Sequence, residues 1–283
     1  MPMGNGKYYG FELRLLKHYL NKKKELQGIN EKRIAIIGCG SIGSIIAEIL
    51  ARFNPRELIL IDYDIVDIEN VGYQPYGPRY IGVPKSKALA EKLLLTYPFL
   101  DTKITVITEP IPSSDLVISE NELTGLLNKF DDIIKRSDVL IAAVDKVSPR
   151  RILTIWSIAF GKPLVSLGAD RDDGWVGGYC GKGTPSKPLC PDFLQANIGG
   201  QGYAINPVVT YTVSAEAAWL ALNYAIGTIK ENVLLSIYAI HDTINIKKIR
   251  PRECNSKYVN ELTRIRFSNL HELNRWIIKN ELW

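Results

Sequence analysis

"RIAIIGCGSIGSIIAEILARFNPRELILID", Arg33 to Asp62, decides how this 283-residue chain is read. Arg33 to Gly38 is a short β-branched run, Ser41 onward has the composition of a helix, and Glu57 to Asp62 is a second apolar run of strand length. Strand, glycine turn, helix and strand make a βαβ unit. Gly38, Gly40 and Gly43 write the turn as G-x-G-x-x-G, where missing Cβ atoms let a phosphate approach backbone N–H groups at the positive end of the helix. Asp62 follows Gly43 by 19 residues, the usual spacing for a carboxylate that hydrogen-bonds a ribose hydroxyl. These four residues fit NAD as well as ATP, and a glycine turn can also serve tight strand–helix packing alone.

Outward from this unit the alternation continues. An irregular stretch from Tyr63 to Val83 leads to Pro84 at the head of a helical "KSKALAEKLLLTY". Strand-like "KITVIT" (Lys103 to Thr108) and "DVLIAAV" (Asp138 to Val144) follow, then a helix capped by Ser148 with Pro149 in its first turn, then "PLVSLG" (Pro163 to Gly168). The pattern predicts an α/β fold, a Rossmann-like and mostly parallel sheet flanked by helices. Twenty irregular residues inside such a domain point to function. Upstream, Leu13, Leu15, Leu16, Leu20 and Leu26 lie among charges as an N-terminal helix. Downstream, Ala169 to Gly202 is rich in Gly, Pro, Asp and Lys and reads as a crossing loop, after which Asn206 and Pro207 open an apolar helix to about Ile226. "LLSIYAIHDTINIKKI" and "LTRIRF" read as antiparallel strands, a C-terminal extension, and Asn269 and Glu272 are spaced as the capping box of a last helix. One domain over 1–283 is expected, with an arm at 1–30, a nucleotide-binding core at 31–168, the crossing loop at 169–202 and helix and strands at 203–283.

Composition excludes several classes. Hydrophobic residues make 46% and charged residues 23%, and no apolar run reaches the roughly 18 to 20 residues of a membrane span. The first residues carry charges without the apolar stretch of a secretory signal, so a cytoplasmic location is expected. The net charge of +5 is spread, with one cluster at Lys22, Lys23 and Lys24; without interleaved aromatics it argues against a nucleic-acid partner. Cys39, Cys180, Cys190 and Cys254 are too scattered for a disulfide scaffold. His18, His241 and His271 show no ligand spacing.

After Asp62 the chain reads "DYDIVDIENVGYQPYGPRYIGVPKSKALAEKL". This resembles the signature of the ThiF/MoeB/HesA family, the adenylyltransferases related to ubiquitin-activating enzymes: D-x-D-x-V, an Asn, a Gln four residues on, and I/V-G-x-P-K-x-x-A. The resemblance maps Asp62 and Asp64 onto the paired acids, Asn70 and Gln74 onto the polar pair, Lys85 onto the lysine, and Asp145 of "VLIAAVD" onto the aspartate after the next inner strand. It implies that these residues surround ATP and Mg2+, with Lys85 neutralising phosphate charge and Asp145 holding the metal. An ionised carboxylate attacking the α-phosphorus needs no general base, which suits a site of cations and metal-binding acids. "YGFELRLLKHYL", "QGYAINPVVTYTVSAEAAWLALNYAIG" and "IKKIRPREC" extend the resemblance over most of residues 8 to 257.

The match also has gaps. The family's arginine before the loop glutamine is Tyr73 here. Arg79, six residues on, is one substitute; Arg14, matching the arginine that family members send into a partner subunit, implies a homodimer. The two C-x-x-C pairs of a structural zinc are eroded, Cys190 being followed by Phe193 and Cys254 by Lys257, so zinc is not expected. Cys180 matches a region where some relatives carry an acyl- or sulfur-accepting thiol. The leading reading is ATP-dependent adenylation of the carboxyl terminus of a ubiquitin-like or sulfur-carrier protein, or of a precursor peptide, with release of pyrophosphate. A silent scaffold or dimer partner and an NAD-dependent oxidoreductase are the alternatives.

Overall fold

The computed structural model describes residues 28–98, 100–181, 205–240, 243–249 and 257–282. The chain alternates β1 (Arg33–Ile37), α1 (Ser41–Ala51), β2 (Glu57–Ile61), α2 (Lys85–Thr96), β3 (Lys103–Ile107), α3 (Glu120–Arg136), β4 (Val139–Ala142), α4 (Val147–Phe160) and β5 (Leu164–Asp170). It continues with β6 (Asp173–Tyr179), α5 (Pro207–Ile226), β7 (Val233–Ile240), β8 (Thr243–Lys248), α6 (Lys257–Arg264) and α7 (Leu270–Lys279). All eight strands form one sheet in the order β3-β2-β1-β4-β5-β6-β7-β8. The five strands from β3 to β5 are parallel and the last three join antiparallel, so the α/β reading with a mostly parallel sheet holds.

Beyond the first residues Arg33 and Glu57, the inner strands β1, β2 and β4 are apolar because both faces are covered. Alternation deals their side chains to two cores: Ile34, Ile36, Leu58 and Leu60 face α1, α2 and α5, while Ala35, Ile37, Ile59 and Ile61 face α3, α4, α6 and α7. Phe130 and Trp156, both fully buried, anchor the second core with ring centroids 6.0 Å apart. Among the described residues, no helix is long and apolar enough to cross a membrane.

Several expectations are corrected. The segment from Ala169 begins as the end of β5 and continues into β6, whose "DGWVGGY" lies inside the stretch read as loop. Its glycines admit α5: a Cβ at Gly174 would meet Val213 at 2.5 Å, and one at Gly178 would meet Tyr224 at 2.4 Å. Residues 182–202 of the expected crossing loop, and the arm at 1–27, lie outside the described residues. "LTRIRF" is not a strand; it begins inside α6, whose Val259 and Leu262 are buried at helical spacing. Helix α4 starts at Val147, so Ser148 is no cap; its hydroxyl instead meets that of Ser114 at 2.7 Å. Asn269 does cap α7, but the Glu272 carboxylate turns to the Ser268 N–H at 2.7 Å. Between β3 and β4, where no helix is expected above, α3 opens on a full capping box of Ser119 and Glu122.

At the foot of the sheet Arg33, Glu57 and Lys103, the first residues of β1, β2 and β3, stand in register. Glu57 is buried, accepts from the Thr105 hydroxyl at 2.5 Å and from Arg136 of α3, and faces Arg33 at 3.6 Å. Burial works to raise its pKa, but the bonds from Arg136 and Thr105 win and hold it below the usual carboxylate value. A lowered folded-state pKa contributes stability that is present at neutral pH and lost as pH falls through the carboxylate range. Glu57→Gln is therefore expected to cost about 2 kcal/mol at pH 7 and to flatten the loss of stability below pH 4.5, the unperturbed value. Urea unfolding between pH 7 and pH 3 reads both.

Candidate active site

Gly38 leaves β1 at φ +96°, conformational territory that suits glycine, and its N–H donates to the Ile61 carbonyl at 2.8 Å. A Cβ there would stand 2.3 Å from the Ala143 carbonyl oxygen, just beyond β4. A Cβ at Gly43 would stand 1.9 Å from the Gly38 carbonyl oxygen, so the first and third glycines are demanded by the packing of β1, α1 and β4. Gly40 differs. Its backbone is extended, as any residue allows, and a Cβ on it would find only the Gln74 amide nitrogen at 3.9 Å. The fold itself does not require glycine at 40, which faces open space beside the N-terminus of α1.

Strand order reverses between β1 and β4, and the turn lies at their carboxyl ends, the switch-point crevice where open α/β sheets bind ligands. Asp62 closes one side. One carboxylate oxygen accepts from the Cys39 N–H at 2.7 Å and the other from the Asp64 N–H at 2.9 Å. Burial outweighs these bonds and raises its pKa. Tyr76 reaches the same turn, donating to the Cys39 carbonyl at 2.5 Å. The Cys39 thiol is wholly buried, which pushes its pKa well up and makes it a packing group.

The stretch from Tyr63 to Val83 is a loop pinned at its base. Val66 and Val83 bond across it at 2.9 Å, and the Lys85 N–H meets the Asp64 carbonyl at 2.8 Å. Asp67 and Asn70 cap a single turn inside it, so the Asn70 side chain is occupied locally. Gln74 lies near Gly40 with its Oε1 buried and without a hydrogen-bond partner among the described residues, an acceptor awaiting a donor. Lys85, first residue of α2, is buried, and its Nζ lies 3.1 Å from the Asp64 carboxylate.

Beyond β4, Asp145 is exposed and makes no hydrogen bond to other described side chains. Lys146 beside it is exposed and faces the phenol of Tyr63. Since Tyr63 follows β2 and Lys146 follows β4, that approach spans the end of β1. Arg150, which sequence reading passed over, is buried in α4 and donates to the carbonyls of Val144 and Leu167. It thereby fixes the peptide just before Asp145, and its guanidinium carbon lies 5.4 Å from the Trp175 ring centre. Nothing in the sequence separates it from Arg151, the neighbouring charge in the same helix.

Gly38, Gly40, Gly43, Asp62, Asp64, Gln74, Lys85 and Asp145 thus gather at one crevice. Arg79 is drawn elsewhere: it pairs with Glu91 of α2 and lies over the Tyr80 ring at 4.7 Å. Tyr73 accepts a hydrogen bond from the Ile205 N–H at 3.3 Å. Cys180 is half-buried, its thiol 3.4 Å from the Asn232 side chain. Arg14, His18, Cys190, His241 and Cys254 lie outside the described residues. His271 bonds Asn128 at 2.7 Å on the surface.

The family model described as "ThiF family" matches residues 13–255. The chain belongs to the ThiF family. Relatives agree: the ubiquitin-like modifier-activating enzyme ATG7 of Cryptococcus neoformans var. neoformans is 25% identical over 210 residues, 71% of this chain and 31% of that protein. Ubiquitin-like modifier-activating enzyme 5 of Caenorhabditis elegans is 37% identical over 126 residues, 44% of this chain and 29% of that one. The chain spans about a third of the length of these curated relatives. Among solved structures, E. coli MccB, determined with ATP, superposes with a TM-score of 0.64 at 18% identity, covering 87% of this chain and 73% of MccB. This ThiF-family chain therefore shares the MccB fold.

The three glycines separate by experiment. Gly43→Ala is expected to lower stability by more than about 2 kcal/mol, because backbone must move. Gly40→Ala is expected to stay within about 1 kcal/mol of wild type, a cap-position change, yet to lose any stabilisation by Mg·ATP. Unfolding midpoints with and without nucleotide test both.

Proposed function

We propose that this chain is an ATP-dependent adenylyltransferase that activates the carboxyl terminus of a ubiquitin-like or sulfur-carrier protein, or of a peptide, with release of pyrophosphate. The observation that carries the reading is the crevice at Gly40: a backbone kept bare where packing does not ask for it, beside a buried and unpartnered Gln74 oxygen and a ring of charged side chains. The donor set suits a nucleotide with Mg2+, a hard cation that takes carboxylate oxygens and water. Asp145, unbonded and exposed, is the metal ligand in this reading, and Asp62, which braces the turn, offers its remaining acceptor capacity to a ribose. The nucleotide supplies the electrophilic α-phosphorus.

The chain's own work is electrostatic. A substrate carboxylate oxygen bonds to the α-phosphorus, the bond from that phosphorus to the bridging oxygen breaks, and the electron pair leaves with pyrophosphate. No proton moves, so no base is needed; what is needed is positive charge along the phosphates. Lys85 supplies it by exchanging Asp64 for phosphate, and Lys146, exposed beside Tyr63 and Asp145, is the second cation. Arg150 acts at one remove by holding the Val144 carbonyl and so the placement of Asp145. A homodimer with Arg14 acting across the interface, and a cytoplasmic location, belong to the same proposal.

A second reading, a silent relative that binds without turnover, is favoured by one observation: Tyr73 and Arg79 are both engaged away from the crevice. Thermal unfolding with Mg·ATP, ATP plus chelator, and NAD separates the readings. Mg·ATP at about 100 times its Kd is expected to stabilise by roughly 2.7 kcal/mol, with Asp145→Ala abolishing the magnesium dependence. Stabilisation by NAD alone would instead favour an oxidoreductase. In carrier-stimulated ATP–pyrophosphate exchange, Lys85→Met is expected to lose about 10²- to 10³-fold in rate, on the scale of one lost transition-state contact. Nucleotide binding with no exchange, whatever carrier is supplied, favours the silent reading, and undiminished exchange by Arg14→Ala removes the cross-subunit role.

A further inference from the structure

The foot of the sheet, at the opposite end of β1 from the glycine turn, holds a second charged centre. Arg33, Arg56, Glu57, Lys103 and Arg136 line a concavity of about 290 Å3. Arg33, Glu57 and Lys103 share one row of the sheet and therefore one face, the face that α3 covers with Arg136. At about 3.3 Å of rise per residue, the five residues of β1 put this row roughly 16 Å from the crevice. A nucleotide bound at Gly40 does not reach it.

Charge at the foot is unbalanced. Glu57 is nearly saturated: Thr105 and Arg136 bond its oxygens, and Arg33 and Lys103 face it at 3.6 and 3.4 Å. Arg136 has one further acid, Asp132, at 3.0 Å. Arg56 has no ion pair or hydrogen bond from its side chain to any described residue, although it lines the same hollow. Four cations thus share Glu57 and Asp132, while Asp138, next to Arg33 at the head of β4, spends its carboxylate on the Arg33 backbone N–H at 2.8 Å. A stapling role for Glu57 explains Arg136 and Thr105, but it leaves Arg56 and the outer faces of Arg33 and Lys103 without a function. Three guanidinium groups and an ammonium that converge on a hollow, two of the arginines part-buried and so partly ordered, are what recognition of a multiply charged oxyanion requires.

We propose that this foot is an anion site for a small phosphate-bearing molecule, a phosphate ester or polyphosphate, separate from the crevice and independent of the adenylation reading. An anion there bridges β1, β2, β3 and α3, so occupancy stabilises the sheet from the end opposite to the nucleotide.

The test is titration of sodium tripolyphosphate, in magnesium-free buffer at constant ionic strength, into wild type and into Arg56→Ser/Lys103→Ser, followed by calorimetry and thermal unfolding. Both side chains are exposed, so this variant is expected to fold and to keep its response to Mg·ATP. Lys230→Ser/Lys247→Ser, which removes the same charge elsewhere, is the control. The expected result is at least a tenfold weaker binding component and loss of its thermal shift in the foot variant only. Equal binding by wild type and the foot variant overturns the proposal, as does an equal loss in the control, which would show a response to net charge alone.

Discussion

Everything at the crevice depends on how closely three pieces of backbone approach one another. Gly38 passes under the Ala143 carbonyl, and its own carbonyl oxygen lies against the α-carbon of Gly43, with no room for a side chain at either contact. Because β1, the start of α1 and the exit of β4 meet there, main-chain packing sets the approach of the segment that carries Asp145, and the Arg150 side chain holds its Val144 carbonyl. Asp62 then ties the turn from the far side, spending both oxygens on backbone N–H groups. The site is therefore built on close main-chain packing, held in place by the side chains of Asp62, Tyr76 and Arg150. That is the kind of rigidity that preorganised electrostatic chemistry needs.

How much of this was legible in the sequence follows from which interactions are local. The βαβ unit, Pro84 before α2, and Asn206 and Pro207 before α5 are local signals and are found where they point. β6 was not legible, because its glycines answer to α5, a helix some thirty residues downstream, and glycine without that partner looks like loop. α6 misled for a related reason: Ile265 and Phe267, just past its end, alternate as in a strand, while Val259 and Leu262, three apart, carry the helical phase. In the site, residue types were legible and engagements were not. Lys85 and Asp64 could be named, but not that they bind one another; Arg79 looked available and is taken by Glu91; Arg150 gave no positional sign at all.

The two ends of the parallel sheet use charge in opposite ways. At the carboxyl ends, acids and lysines are few and partly uncommitted, and open space lies beside a helix N-terminus. At the amino ends, one buried acid is wrapped by a surplus of cations, and strand register alone brings Arg33, Glu57 and Lys103 together. The first arrangement contains the glycine turn and the stretch after β2 that resemble the family's signature; the second lies outside them.

Tyr73 carries a consequence for the loop after β2. Its phenol oxygen accepts from the Ile205 N–H, at the lead-in to α5. An arginine at 73 has only donors to offer, so it could not make this tie; the amide, which lies at the surface, would turn to water while a cation joined the loop. Position 73 thus couples that loop to the start of α5 through an acceptor, and swapping acceptor for donor there uncouples the two segments.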